Sequence, residues 1–283
     1  MILIDYNGVA MATIFAAQVD IQEDLIRHMI FNSLRMYNKK FRDKYGEMVI
    51  CCDAGGNWRR DFFPQYKQSR RDDQAKDEAG KWDEIFRIMN MIRDELTENF
   101  PYKVIQVWKC EADDIIGTLV EQTQEFGQHE EVMIVSVDKD FGQLQKYNNV
   151  AQFNPRTKKL MKEDNPHSFL FEHICKGDGS DGVPNVLMPD DFYLTEGRAS
   201  PMTAKKITAW AAAEDIEDAM GPEIYRNFQR NKRMIDLTMT PDALKDEVIN
   251  TFDEYKVPPK SKVLPFLIKK RCRNLIDSVG DFL

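Results

Sequence analysis

The chain has 283 residues, a formal net charge of −8 and 42% hydrophobic residues, which is enough for one large core or for a core with a smaller second domain. No apolar run approaches the roughly 20 residues that span a bilayer, and the N-terminus lacks the features of a signal peptide, so we expect a cytoplasmic protein without a membrane contact. The five cysteines and four histidines are scattered. This pattern predicts reduced thiols and argues against a zinc site.

Short apolar runs alternate with segments of helical spacing in the first half of the chain. Such alternation predicts an α/β fold in which helices flank a mostly parallel central sheet on both faces. The predicted strands are 1–4, 48–52, 104–107 and 132–137. The predicted helices between them are 21–45, 81–100 and 112–126.

Residues 55–80 interrupt this alternation with a long basic and aromatic segment that has glycines at both ends. An irregular insertion of this length in a compact domain is usually functional or disordered. After Pro166 only helical spacing follows, and this change predicts two regions, 1–165 and 166–283. The predicted helices of the second region are 168–176, 202–213, 224–237, 241–255 and 263–279.

Acidic residues follow each of the four predicted strands, and more lie in the helical half. They are Asp5, Asp53, Glu111, Asp113, Asp114, Asp138, Asp140, Asp178 and Asp181. Any one of them alone could equally well cap a turn or a helix. Parallel strands bring their carboxyl ends to one edge of a sheet, where gathered carboxylates repel unless a cation compensates them. Oxygen ligands suit Mg²⁺ or Mn²⁺, and two such ions beside one phosphate would give metal-assisted phosphoryl chemistry.

Cations and aromatic rings alternate in the insertion. The cations are Arg59, Arg60, Lys67, Arg70 and Arg71, and the rings are Trp58, Phe62, Phe63 and Tyr66. The cations could neutralise phosphates, and the rings could stack on unpaired bases. The alternative is an amphipathic helix whose rings pack in the core. The position of the segment directly after Asp53 favours a role beside the acidic residues.

The chain carries five motifs in this order: LIDYNG, CCDAGGNWRRDFFPQYKQSR, KCEADDIIGTLV, IVSVDKDFGQL and CKGDGSDGVPNV. Together they resemble the flap endonuclease/5′ nuclease family, in particular its phage members. The resemblance implies a PIN-like core whose sheet edge binds two Mg²⁺ ions, for which Mn²⁺ substitutes. Asp114 matches less well, because it is expected to face away on its helix. The metal ligands that the resemblance implies are Asp5, Asp53, Glu111, Asp113, Asp138, Asp140, Asp178 and Asp181.

The same resemblance implies roles for basic residues. Residues 55–80 would form a helical arch in which Lys67 and Arg70 act on the scissile phosphate and Tyr66 lies near a substrate base. A helix–loop–helix DNA clamp would follow in the helical region, where Lys205 and Lys206 begin a helix that holds duplex phosphates. The resemblance implies a glycine-rich clamp loop that binds a monovalent cation. The loop of this chain is longer and has a single glycine, at position 197, so it departs from that pattern.

The function implied by the resemblance is a Mg²⁺-dependent 5′→3′ exonuclease and flap endonuclease that removes RNA primers from lagging-strand fragments in phage DNA replication. Its substrates would be RNA–DNA and DNA duplexes in the infected bacterial cell. A PIN-type ribonuclease and a non-catalytic DNA-binding relative are the alternatives. A haloacid-dehalogenase-type phosphatase is disfavoured, because its Asp pair would follow the first strand, where Tyr6 and Asn7 stand instead.

The C-terminus ends in the apolar residues Phe282 and Leu283 after a basic amphipathic segment. The resemblance implies that this tail docks on a replication sliding clamp, and ordinary packing of a C-terminal helix is the equal alternative. A single-strand-binding protein is the other expected protein partner.

Overall fold

The structure is a computed structural model that describes residues 1–17, 21–77, 80–125, 129–195 and 198–283. These residues form one sheet of six strands, which are β1 (Ile2–Asp5), β2 (Met48–Cys51), β3 (Lys103–Ile105), β4 (Val132–Val135), β5 (Val150–Asn154) and β6 (Lys159–Met161). The spatial order is β3-β2-β1-β4-β5-β6. All neighbours are parallel except β5 and β6, which are antiparallel. The predicted mostly parallel sheet is confirmed, and β5 and β6 add an edge that was not predicted.

Helices cover both faces of this sheet. Ile2 and Ile4 of β1 pack in one hydrophobic core and Leu3 packs in another, because successive side chains of a strand point to opposite faces. The helices are α1 (Tyr6–Ala17), α2 (Glu23–Tyr45), α3 (Trp58–Phe62), α4 (Gln68–Ala75), α5 (Lys81–Asn99), α6 (Ala112–Gln122), α7 (Pro166–Lys176), α8 (Ala204–Ala211), α9 (Ile216–Met220), α10 (Pro222–Ile235), α11 (Asp242–Glu254), α12 (Val263–Lys269) and α13 (Arg273–Ile276).

The helix predictions differ from the structure at three places. Helix α1, which begins directly after β1, and the short helix α9 were not predicted. The single helix predicted at 263–279 is wrong, because α12 ends in a left-handed turn at Arg271, whose φ is 54°. There the backbone N–H of Cys272 donates to the carbonyl of Leu267 at 2.9 Å, which is the Schellman pattern that ends a helix. Position 126 of the predicted helix 112–126 lies outside the described residues.

The C-terminal residues pack into the molecule. Phe282 has no exposed surface, its ring lies 5.4 Å from that of Phe100, and its carbonyl accepts a hydrogen bond from the Tyr102 hydroxyl at 3.0 Å. Asp281 forms an ion pair with Arg35 at 2.6 Å. This packing favours the alternative of an ordinary C-terminal segment, because the Phe282 ring is part of the core, and docking of the tail on a sliding clamp stays a prediction.

The arch segment, which we define as residues 55–80, contains α3 and α4, and positions 78 and 79 lie outside the described residues. Its rings Phe63 and Tyr66 join a third hydrophobic core with Ile174, Trp210 and Phe228 of the helical region. The base of the arch segment is thus fixed to the second half of the chain. None of the described helices has the length and apolar character needed to cross a bilayer.

Candidate metal centre and nucleic-acid interface

The carboxyl ends of β1, β2 and β4 bring acidic side chains to one edge of the sheet. Asp5 is the last residue of β1, while Asp53 and Asp138 lie just beyond β2 and β4. Glu111 and Asp113 join them from the start of α6. All five line a cavity of about 760 Å³, so the structure brings these predicted site residues together.

Hydrogen bonds hold the acids at the ends of β1 and β2 in place. Asp5 accepts from the backbone N–H of Gly8 at 2.9 Å and from the Ser136 hydroxyl at 2.6 Å. The Asn7 amide donates to Asp53 at 2.7 Å. A Cβ atom on Gly8 would lie only 2.2 Å from Oδ2 of Asp5, so the glycine of the LIDYNG motif leaves room for this carboxylate.

Burial makes ionisation of these acids unfavourable. It raises the pKa of Asp5 to about 6, and it also raises the pKa of Asp53. Burial, with Glu111 beside it, raises the pKa of Asp113 well above its usual value. Glu111 differs, because against the effect of its burial the ammonium of Lys67 and a neighbouring guanidinium lower its pKa to about 2. Carboxyl groups with raised pKa values are poised to exchange their protons for a cation.

The other three predicted ligands lie around a small adjoining cavity. Asp140, Asp178 and Asp181 line it together with Asp113, so that Asp113 borders both cavities. Burial, with Asp138 close by, raises the pKa of Asp140 to about 7. All eight predicted acids are therefore gathered around two neighbouring spaces.

His173 belongs to this second group, although sequence reasoning did not select it. Its Nδ1 lies 3.3 Å from Oδ1 of Asp140, and its Nε2 lies 3.6 Å from Oδ2 of Asp178. Together the three side chains offer ligand atoms within 4.8 Å of one another. The buried Nε2 of His173 and Oδ1 of Asp140 have no hydrogen-bond partner among the described residues. The available signal was its place in the last turn of α7, just before the GDGSDG motif.

Lys67 and Arg70 of the arch segment reach the acidic residues. The Nζ of Lys67 lies 2.5 Å from Glu111 and 3.4 Å from Asp181, and Nη2 of Arg70 lies 2.5 Å from Asp181. Lys67 precedes α4 in a left-handed conformation, with φ of 55°. The two cations therefore converge on one carboxylate, although Lys67 is not itself within the helix.

Two predicted nucleic-acid contacts, Trp58 and Arg59, are wrong because both side chains are buried. Trp58 is 5% exposed and its Nε1 donates to Asp114 at 3.1 Å. Arg59 is 1% exposed, and it forms an ion pair with Asp114 at 2.9 Å and donates to the carbonyl of Met234 at 2.9 Å. Asp114 lines neither cavity and neutralises this buried guanidinium, although its carboxylate lies within 4.8 Å of those of Glu111 and Asp113.

Of the two interpretations of the rings in this segment, core packing holds for Tyr66 and Phe63, and the expected position of Tyr66 near a substrate base stays a prediction. Both rings are 3% exposed, because they fill the third core. The Tyr66 hydroxyl nevertheless reaches the acids, since its oxygen lies 3.0 Å from Glu111 and 3.1 Å from Asp181 and can donate its one proton to either. The basic residues that line the larger cavity are Arg60, Lys67, Arg70, Arg71 and Arg156, of which Arg156 was not predicted.

Lys205 and Lys206 are exposed in the first turn of α8, which begins after Thr203. The Thr203 hydroxyl accepts from the backbone N–H of Lys206 at 3.4 Å. Both ammonium groups are thus free to meet a phosphate, and their contact with DNA stays a prediction. Position 197 of the predicted clamp loop lies outside the described residues.

The raised pKa values predict how pH affects the metal-free protein. Burial raises the pKa of Asp5 to about 6 and that of Asp140 to about 7 in the folded protein, above the ordinary value of 3.8 expected in the unfolded chain. Between about pH 4 and 7 the folded state therefore keeps protons that the unfolded state has lost. Stability in EDTA should therefore fall as the pH rises from about 4 to 7. Thermal melts across this range measure the fall, and Asp140→Asn should make it shallower. An equal fall in stability for Asp140→Asn would contradict the raised pKa of Asp140.

Two family models match the chain. Residues 1–170 match the 5′-3′ exonuclease N-terminal resolvase-like domain, and residues 166–282 match the C-terminal domain of T4 RNase H. The ribonuclease H of Enterobacteria phage T4 is 33% identical over 294 residues, which cover 99% of this chain and 95% of that protein.

Solved structures have the same fold. The flap endonuclease of bacteriophage T5, in a pseudo-enzyme–product complex with DNA and metal ions, superposes with a TM-score of 0.67 at 15% identity, over 99% of this chain and 98% of that chain. The T5 5′-exonuclease with bound zinc gives a TM-score of 0.64 at 16% identity, over 99% of both chains.

The two family models and the full-length relative show that the chain is a 5′ nuclease. The chain belongs to the 5′–3′ exonuclease family, and within it the chain is similar to the phage ribonuclease H proteins. The predicted PIN-like core and the predicted kinship with phage members are both confirmed.

Proposed function

We propose that this nuclease hydrolyses phosphodiesters at 5′ ends and 5′ flaps of RNA–DNA and DNA duplexes, with two Mg²⁺ ions as its cofactor. The observation that carries the proposal is the gathering of eight acidic side chains around two adjoining cavities at the sheet edge. The division of the chain into a catalytic core, 1–165, and a helical DNA-binding region, 166–283, is part of the proposal.

The residues of the site fit divalent cations. Asp5 and Asp140 have raised pKa values, and Oδ1 of Asp140 and Nε2 of His173 are buried without a hydrogen-bond partner among the described residues. Carboxylate oxygens are the ligands that Mg²⁺ and Mn²⁺ prefer. The ions would be held by Asp5, Asp53, Glu111, Asp113, Asp138, Asp140, Asp178 and Asp181. When bound, they supply an activated water and neutralise charge on the scissile phosphate and the leaving oxygen.

The cations of the arch segment act on the scissile phosphate. Lys67 and Arg70 already meet at Asp181, so a phosphate entering beside that carboxylate comes within reach of both. Arg70 offers a planar fork for two phosphate oxygens and Lys67 a point charge. Both favour the extra negative charge that develops as the attacking water approaches phosphorus. They therefore contribute to the rate as well as to binding.

The exposed lysines at the start of α8, Lys205 and Lys206, bind phosphates of the duplex. Lys205→Ala combined with Lys206→Ala should weaken duplex binding and flatten its salt dependence, by roughly one unit of log–log slope for each lost phosphate contact. Titrations at several salt concentrations, in Ca²⁺ to prevent cleavage, measure the slope. An unchanged slope in the double variant would mean that both lysines stay in solvent.

Removal of RNA primers in the infected bacterial cell is the biological role that we propose. The full-length similarity to a phage ribonuclease H supports this role, and the match of residues 166–282 disfavours a PIN-type ribonuclease, which normally lacks the helical half. A non-catalytic relative is disfavoured because every predicted acid is present at the site. Contact with a single-strand-binding protein stays a prediction.

One assay tests the proposed function. Duplexes labelled at the 5′ or the 3′ end, with and without a 5′ flap and with RNA or DNA at the 5′ end, are incubated with Mg²⁺. We expect short products from the 5′ end, none in EDTA, and restored activity in Mn²⁺. Release from the 3′ end, or equal activity in EDTA, would contradict the proposal.

A further inference from the structure

Trp108 is an exposed tryptophan beside the active site that the reaction does not use. Its side chain is 63% exposed, whereas Trp58 and Trp210 are 5% and 8% exposed. It stands three positions before Glu111, in the loop that joins β3 to α6. An indole left in water beside a catalytic site exposes apolar area that a ligand could cover.

The loop around Trp108 holds the indole in place. A Cβ atom on Gly55 would lie 2.3 Å from Cζ3 of the ring, and one on Gly56 would lie 3.3 Å from Cζ2. The backbone N–H of Lys109 donates to Gly55 at 2.9 Å, and that of Ala54 donates to Cys110 at 3.0 Å. The glycines therefore let the backbone approach one part of the ring, while the rest stays open to solvent.

The indole borders a third cavity, of about 620 Å³, that adjoins the larger acidic one. The two cavities share wall residues, which are Asn7, Asp53, Ala54 and Phe86. Asp53 is one of the proposed metal ligands. A group that lies against Trp108 is thus next to the place where the scissile phosphate would bind.

Polar side chains on the cavity wall are fixed by hydrogen bonds. Nε2 of Gln106 donates to the carbonyl of Asp53 at 2.6 Å. Nη1 of Arg93 donates to Asn90 at 2.9 Å, and Nη2 donates to Asp94 at 2.8 Å. The wall therefore combines an aromatic face, amides and a guanidinium, which is the chemistry that binds a nucleobase by stacking and by its polar edge.

We propose that Trp108 is the stacking surface of a nucleotide subsite, which binds one unpaired base of the substrate next to the scissile phosphate. This inference rests on the proposed nuclease function and adds a binding site to it. The wall that this cavity shares with the acidic one, which includes Asp53, favours a substrate base over a protein partner. Stacking on an aromatic side chain strengthens binding by about 10- to 100-fold per base.

Binding measurements test the subsite directly. Trp108→Ala should weaken binding of a duplex with one unpaired 5′ nucleotide by about 10- to 100-fold in Ca²⁺, and should leave a fully paired nicked duplex nearly unaffected. Trp108→Phe should retain most of the affinity. The matched control is Ile268→Ala, which removes another exposed apolar side chain, 57% exposed on α12, and should bind both duplexes like the wild type.

An abasic substrate identifies the base. With an abasic residue at the unpaired position, wild type and Trp108→Ala should bind equally, and moving the abasic residue to the other side of the scissile phosphate should restore their difference. The proposal is overturned if the variant binds all substrates like the wild type, which would assign the indole to a protein partner, or if it loses the same affinity for the abasic substrate. These outcomes concern binding alone. The proposed function fails by a different result, in which the wild type releases no products from the 5′ end.

Discussion

Asp113→Asn should reduce the single-turnover cleavage rate by more than about 10³-fold, because the amide removes a metal ligand and one negative charge from the site. Asp113 borders both acidic cavities, so its substitution affects the ligands around both. DNA binding in Ca²⁺ should be intact or tighter, since a charge that repels phosphate is lost. The variant should be at least as stable as the wild type in EDTA, because burial already raises the pKa of Asp113.

Asp114→Asn is the matched control, one residue further along α6. Asp114 has no exposed surface. It forms an ion pair with Arg59 at 2.9 Å and accepts hydrogen bonds from Trp58 at 3.1 Å and Thr240 at 2.9 Å. Its loss leaves the Arg59 guanidinium buried without its main partner, which costs about 3–5 kcal/mol. We expect a clear drop in melting temperature for Asp114→Asn and none for Asp113→Asn. Cleavage at the wild-type rate by Asp113→Asn would contradict its assignment as a ligand.

Lys67→Ala and Arg70→Ala should each reduce the cleavage rate at saturating DNA by about 10²–10³-fold, the usual effect of removing one donor that stabilises a transition state. Each should raise the dissociation constant far less, because the contact strengthens as the phosphate gains charge. Lys67 is also half of the ion pair with Glu111 at 2.5 Å. Its loss should therefore raise the pKa of Glu111 and shift the pH profile as well.

Single-turnover rates in Mg²⁺, measured beside binding in Ca²⁺, separate chemistry from affinity. Arg60→Ala is the control, because Arg60 lines the same cavity and has no assigned part in the chemistry. It should weaken binding and leave the rate at saturation nearly unchanged. If Lys67→Ala and Arg70→Ala behave like Arg60→Ala, the arch segment only attracts the substrate.

The sheet and the acids could be predicted because both follow from local patterns. A strand such as β4 is a short apolar run, and the acid after it must lie at the sheet edge wherever neighbouring strands are parallel. Helix α1 could not be predicted in this way, since the residues after Asp5 also fit a turn. The structure resolves the ambiguity through Gly8, which gives its N–H to Asp5 and leaves space for that carboxylate.

The arch segment was harder because composition does not state which face is buried. Phe63 and Tyr66 have the same sequence signature whether they stack on bases or fill a core, and only the third core, built with residues far along the chain, determines the outcome. His173 and Trp108 posed the opposite problem. Each is a single residue without a pattern around it, so its position beside the acids depends on contacts that spacing does not encode.

The proposed active site draws residues from both halves of the chain, and this arrangement limits how the protein can be divided. Tyr66 joins Glu111 of the first half to Asp181 of the second through one hydroxyl, and Lys67 spans the same two acids. A cut or a recombination point near residue 165 would separate these acids. We therefore expect a chimaera of two related sequences joined there to be active only when its arch segment fits the acids of both parents.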